Sequence, residues 1–181
     1  MAFMYQHSEA FESRVQGGGP QKCSDWWQAA KRSPWYEDHP CREHVEHSAS
    51  EIIPIRLYGD DAKYQSQRQA LVLTWSCMYC RLPSLLSRFL ITLLPLRHAV
   101  GATHRALYKV ITWSLAVMLT GVMPKEDHRG QAWPSTSWRA VHSGRLIAGG
   151  KRAAVVQILG DWKWLKETVM QFLKWGFQAE A

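Results

Sequence analysis

No apolar run in this 181-residue chain reaches the length of a simple membrane span. LPSLLSRFLITLLPL holds Arg88 and two prolines, and VITWSLAVMLTGVM has only 14 residues, against the about 20 that a spanning helix needs. A membrane-associated protein therefore requires 82–96 and 107–123 to be helices with exposed apolar surface. The N-terminus MAFMYQHSEAFESR lacks the basic start and apolar stretch of a signal peptide. Cysteine is scarce, at Cys23, Cys41, Cys77 and Cys80. With no leader, the expectation is an intracellular, reducing compartment and free thiols. No internal repeat is present, so one core-bearing domain and a tail is expected. Acidic charge is the scarcer sign, 15 residues against 22 basic for a net +7. That excess mildly favours an anionic partner such as nucleic acid and is no stronger than that.

Tryptophan, by contrast, is abundant at ten residues. Indole carries large apolar area and one donor, so many of these must be buried or at an interface. Residues 1–48 read as a flexible or poorly structured N-terminal segment. They are polar and mixed, with GGGP at 17–20 and the cluster HPCREHVEH, and DWWQAAKR as a short helix.

From Glu51 the character changes. EIIPIRLY is strand-like and ends at Gly59, with Pro54 suggesting an edge, a bulge or a strand start. DAKYQSQRQ is a polar connection, ALVLTWSCMY a second strand, RLPSLLSR a turn or short helical turn, and FLITLLPL a third strand. THRALYKVITWSLAVMLTG predicts a helix with Thr103 as its cap, Leu107, Val110, Ile111, Leu115 and Met118 as its stripe, and Gly121 as its stop. After the long loop MPKEDHRGQAWPSTSWRAVHSG comes a strand at Ala153–Leu159. DWKWLKETVMQFLKWG is then a second helix, with Asp161 at its N-cap, Trp162, Leu165, Val169 and Phe172 on one stripe, and Gly176 at its close.

The order is strand, strand, strand, helix, strand, helix. Three strands can form an antiparallel meander, and a crossover through the helix brings the fourth in parallel to the first. The spatial order is then three, two, one, four. Asp60 follows the end of the first strand and Asp161 the end of the fourth. Two carboxylates meeting at such an edge can hold a divalent metal that activates a water or hydroxyl for phosphoryl transfer.

This order resembles the first part of the ribonuclease H-like fold, which supports the DDE transposases and integrases. In that family the first catalytic aspartate lies on the first strand and the second at or after the fourth. Asp60, in YGDD, and Asp161, in LGDW, are in matching places. PIRLYGDD, the TWS of the second strand and LGDWKWLKE also resemble transposon-derived eukaryotic proteins. The resemblance covers about residues 51 to 175. It implies an α/β fold, an incomplete ribonuclease H-like core at 49–176 and a tail at 177–181. It also implies divalent-metal phosphoryl transfer on DNA with Mg²⁺ or Mn²⁺ at Asp60 and Asp161, Asp61 substituting for Asp60, and a location compatible with the nucleus. The family continues with a further strand and a helix bearing a third carboxylate, which this chain lacks. Glu167 is not an obvious replacement. The implied protein is a fragment or remnant, inactive alone.

Other readings compete. YGDD also resembles the metal-binding hairpin of RNA-dependent polymerases, but the polar segment before Asp60 leaves no room for a palm scaffold. Gly59-Asp60-Asp61 can be a plain turn, and Asp161 a plain helix cap. Cys23, His39, Cys41, His44 and His47 are zinc-ligand types at a spacing that matches no established finger. Cys77 and Cys80 form a CxxC within a strand pattern, where alternation aims them to opposite faces as buried free thiols. Lys151, Arg152, Lys163, Lys166 and Lys174 lie among Trp162, Trp164 and Trp175. Such a set can hold phosphate and stack bases, or can be a solvated face over core tryptophans. A non-catalytic module that binds a protein or nucleic acid remains the alternative function.

Overall fold

The computed structural model of the chain describes residues 8–65, 68–161 and 164–166. Its centre is the strand Ile52–Gln65 (β1). Ile52, Ile53 and Ile55 are fully buried there, as expected where β-branched side chains meet packing on both faces of a sheet. β1 pairs antiparallel with Arg68–Cys77 (β2), which pairs antiparallel with Phe89–Pro95 (β3). Arg152–Gly160 (β4) lies parallel to β1 on its other side. The protein is thus mixed α/β, with a four-stranded mixed sheet in the order β3-β2-β1-β4.

Two local expectations change. β1 does not stop at Gly59: Gly59, Asp60 and Asp61 pair with Leu73, Val72 and Leu71 of β2. The Gly-Asp-Asp triplet is therefore extended strand and not a turn. The apolar run on β2 keeps the ladder intact and overrides the local turn preference. Pro54 sits inside a central strand, but one residue before the β1–β2 pairing begins and beside the register shift with β4 at Ile55/Arg56. A residue without an N–H is tolerated at such a start and bulge.

Of the N-terminal segment read as unpacked at 1–48, the described residues 8–48 are packed and largely helical. A π-helical turn spans Phe11–Val15, followed by helices Gly19–Ala30 (α1) and Arg42–Ser48 (α2). Cys23 and Trp27, four residues apart, share one face of α1 and join Tyr36, Cys41 and Val45 in a buried cluster with Ile52 and Ala154 of the sheet. Trp27 Nε1 donates to the Ile52 carbonyl at 2.6 Å. Phe11 and Val15 enter a second cluster with Ile53, Ile55, Cys77 and Ala153.

The crossover helix Gly101–Thr120 (α3) covers part of the sheet. Thr103 is not its N-cap, which is Val100. Thr103 instead accepts the Val100 N–H on its Oγ1 at 3.3 Å. Tyr108 and Ile111 are buried with Leu107 and Leu115 packed beside them, Met118 packs against the cluster of Phe11 and Ile53, and Val110 is exposed. Gly121 ends the helix with φ 69°, the left-handed conformation that a glycine adopts without a steric penalty. Segment 82–96 is a single helical turn, Ser84–Ser87, followed by β3, so the membrane reading loses one of its two required helices. Among the described residues no helix is long and apolar enough to cross a membrane.

Candidate functional site

β1 and β4 run side by side until β4 ends at Gly160, while β1 continues along β2. Gly59 stands opposite Gly160 in the parallel register, on strands about 4.8 Å apart. Asp60 and Asp161 are the next residues on each chain. The register therefore brings together the backbones that lead into two aspartates about a hundred positions apart in sequence. Tyr58 lies beside them. Its hydroxyl donates to Asp60 Oδ2 at 3.3 Å, and its carbonyl accepts from Thr74 Oγ1 at 3.4 Å. The Arg88 guanidinium sits 4.6 Å from the centre of its ring. Burial raises the pKa of the Tyr58 phenol, and the charge and hydrogen bond of Asp60 and the charge of Asp161 raise it further, against the opposing pull of Arg88. One phenol thus feels both carboxylates.

Asp161 also caps a helical turn. Its Oδ1 accepts from the Trp164 amide at 2.6 Å and its carbonyl from the Leu165 amide at 3.0 Å. The cap and the approach to Asp60 coexist in one side chain, with Oδ1 committed to the cap. The rest of the anticipated second helix, Glu167 included, lies outside the described residues. Asp61 is not interchangeable with Asp60. Strand alternation sends Asp60 to one face and Asp61 to the other, the face of Gly59, where Trp164 packs with Tyr108 and Ile111 of α3.

The sequence reading missed what covers the glycine pair. A Cβ on Gly59 would fall inside the contact radius of Trp164 Cε2 and Cζ2, and one on Gly160 would collide with Trp164 Cε3 and the Gly59 carbonyl. The indole thus lies over bare backbone at the end of β4 and the middle of β1. Trp164 is 4% exposed, and its buried Nε1 has no hydrogen-bond partner. The usable signal was the Gly-Asp dipeptide repeated at Gly59-Asp60 and Gly160-Asp161.

The five zinc-ligand types are used singly. The Cys23 thiol donates to the Ile52 carbonyl at 3.0 Å. His39 accepts the Cys41 amide on Nδ1 at 3.1 Å, which leaves Nε2 to donate to the Val155 carbonyl at 2.8 Å. His44 Nδ1 takes Arg152 Nη1 at 3.1 Å, and His47 Nδ1 meets the Glu43 carbonyl at 2.6 Å. Among the described residues no group of three or more His, Cys, Asp or Glu could hold a metal ion. Cys77 and Cys80 are buried free thiols. Because β2 stops at Cys77, alternation does not part them, and both enter the same cluster.

The basic residues do not gather either. Lys151 and Arg152 stand at the start of β4 and Lys166 follows its other end, and β4 itself is about 26 Å long at 3.3 Å per residue. Arg152 lies partly buried over Gly121. Lys163, Lys174, Trp162 and Trp175 fall outside the described residues. No protein-family model matches the chain, and no curated protein or solved structure matches it.

Proposed function

We propose that this chain is an incomplete ribonuclease H-like domain of transposase-like ancestry, a remnant of a divalent-metal-dependent phosphoryl-transfer site on DNA that is inactive alone. The observation that supports it is the register of Gly59 opposite Gly160, which sets Asp60 beside Asp161 in a sheet of order β3-β2-β1-β4. Carboxylate oxygens suit Mg²⁺ or Mn²⁺. A cation there would supply charge stabilisation to a phosphoryl group and lower the pKa of a bound water. Asp60 and the uncapped oxygen of Asp161 would hold it, with water completing the shell. Two carboxylates make a weak site, which suits a remnant. Of the basic residues, Lys166 stands at this end of the sheet to meet a phosphate backbone.

Mn²⁺ titration of the full chain tests this. Saturable binding should be lost in Asp60→Asn and in Asp161→Asn, whose amide preserves the cap, and kept in Asp61→Asn. Equal behaviour of wild type and Asp60→Asn would sink the reading.

A non-catalytic interaction module is the second reading, favoured by one observation. The outer edge strand β3 exposes Leu90 and Leu93 at 61% and 56%, next to Leu85 at 92%. An open apolar edge can pair with the same edge of a second copy. Sedimentation should then show self-association that Leu90→Lys with Leu93→Lys abolishes. A monomer at all concentrations would exclude this reading.

A further inference from the structure

Charge is segregated along the chain. Residues 62–160 carry 13 Lys or Arg and only two acidic residues, Glu126 and Asp127, whereas the rest of the chain is net acidic. Such asymmetry marks a surface for an anionic partner. Part of the excess sits on the connection 121–151 between α3 and β4, which holds only one helical turn, Trp138–Val141, and the 3-10 turn Ala148–Gly150. Connections longer than about 15 residues with so little structure of their own are usually functional. This one is held in a defined shape. Asp127 Oδ1 accepts the Arg129 amide at 2.8 Å and the Gln131 amide at 3.0 Å. Trp133 Nε1 donates to the Pro124 carbonyl at 2.8 Å, and the Met123 amide to the Arg145 carbonyl at 2.9 Å. Lys125, Arg129, Arg139 and Arg145 are exposed on it. Among the described residues none of the four forms an ion pair.

Aromatic rings interleave with these cations. Trp138 is 56% exposed. His142 stacks on it with ring centres 4.1 Å apart and planes at 21°, and His142 Nδ1 donates to the Trp138 carbonyl at 2.8 Å, which fixes the pair. The Arg145 amide donates to the His142 carbonyl at 3.0 Å, so the chain turns back beside that pair. Arg139, the next residue after Trp138, lays its guanidinium 4.7 Å from the centre of the Trp133 ring. Trp133 meets Trp113 of α3 edge to face, and Lys109, one turn before Trp113, is exposed. We propose that this surface binds single-stranded nucleic acid. An unpaired base stacks on the open part of Trp138, and the flanking phosphates meet Arg139, Arg145, Arg129 and Lys125. A duplex would satisfy the charges but keeps its base faces covered, and an acidic peptide has no such ring to offer. A lipid surface would use the exposed Val141 and Leu146 instead. The surface does not depend on the carboxylate reading of Asp60 and Asp161, so the two can fail separately.

The probes are fluorescein-labelled oligo(dT) and oligo(U) of about 15 nucleotides, the matching DNA duplex, and phosphatidylcholine vesicles containing phosphatidylserine. Each is titrated with the full chain in EDTA, so that no divalent cation contributes. Both single strands should bind saturably and more tightly than the duplex, and the tighter of the two identifies the sugar. With four phosphate contacts, affinity should fall about 50-fold between about 50 and 200 mM salt, and in Arg139→Gln with Arg145→Gln only about sevenfold. Trp138→Ala should weaken binding about tenfold and leave the salt dependence unchanged, because stacking carries no charge. Val141→Ala on the same helical turn should change little. Should Trp138→Ala disturb the fold by circular dichroism, Trp138→Phe, which keeps a ring, and the paired arginine change still decide. Asp60→Asn should bind as wild type does. No saturable binding, equal affinity for the duplex, an equal effect of Trp138→Ala and Val141→Ala, a preference for the vesicles, or loss of binding in Asp60→Asn would each overturn the proposal.

Discussion

Gly59 carries a hydrogen where any other residue would drive a methyl group into the Trp164 indole. Its φ lies outside the left-handed region, so the requirement is close approach and not backbone freedom. Gly59→Ala should therefore destabilise the protein by about 1–3 kcal/mol through overpacking, read as a shift of the denaturant midpoint. The control is the same change in a Trp164→Ala background, where the clash is gone and most of the penalty should vanish. Equal penalties in both backgrounds would show that the indole does not lie where the geometry puts it. At Asp161 the cap and the candidate ligand can be separated by chemistry. Asp161→Ala removes both and should cost about 1 kcal/mol of stability. Asp161→Asn keeps the Oδ1 acceptor and should cost less, while still losing the charge needed to hold a cation.

At the scale of elements, the strands were legible where side chains and pairing agree. Ile52, Ile53 and Ile55, and then Leu71, Val72 and Leu73, announce extended chain, and they lie in β1 and β2. The parallel arrival of β4 beside β1 also followed from the order of elements. Local turn chemistry misled at Gly59-Asp60-Asp61, because hydrogen bonds to β2 decide that backbone and no local window reveals them. The N-terminal helices were hidden for a related reason. α1 presents a single narrow stripe, Cys23, Trp27 and Ala30, in a sequence of mixed polarity. What makes that stripe core is Ile52, reached only through the fold. Trp27→Phe tests this contact. It should cost about 1 kcal/mol, since the Ile52 carbonyl loses its indole donor and keeps only the weaker Cys23 thiol. Deleting residues 1–48 should abolish cooperative unfolding altogether, since it strips Ile52, Ile53 and Ala154 of their cover. A truncated chain that melts cooperatively would show the helices to be accessory.

At the scale of the whole molecule, the candidate site was legible as two positions and illegible as a surface. Strand order alone sets Asp60 beside Asp161. The cover over Gly59 and Gly160 emerges only when distant segments pack. The thiols carry the same lesson into stability. Cys41 belongs to the cluster of α1 and α2, and Cys77 to the cluster of the π-helical turn, so the two report on different parts of one core. Burial pushes each from an ordinary 9.0 up to about 11. The unfolded chain releases these protons first, so the sign is a loss of stability as pH rises. Stability should be flat with respect to these groups below about pH 8 and should fall between about pH 9 and 11, by up to about 1.4 kcal/mol per pH unit for each thiol. Urea midpoints measured across that range should drop in the wild type. They should drop less steeply in Cys41→Ala and in Cys77→Ala, and least in the double variant, whatever the variants' starting stabilities. Parallel curves for all four proteins would mean that these thiols meet water in the folded state, and that the two clusters do not close over them as the packing requires.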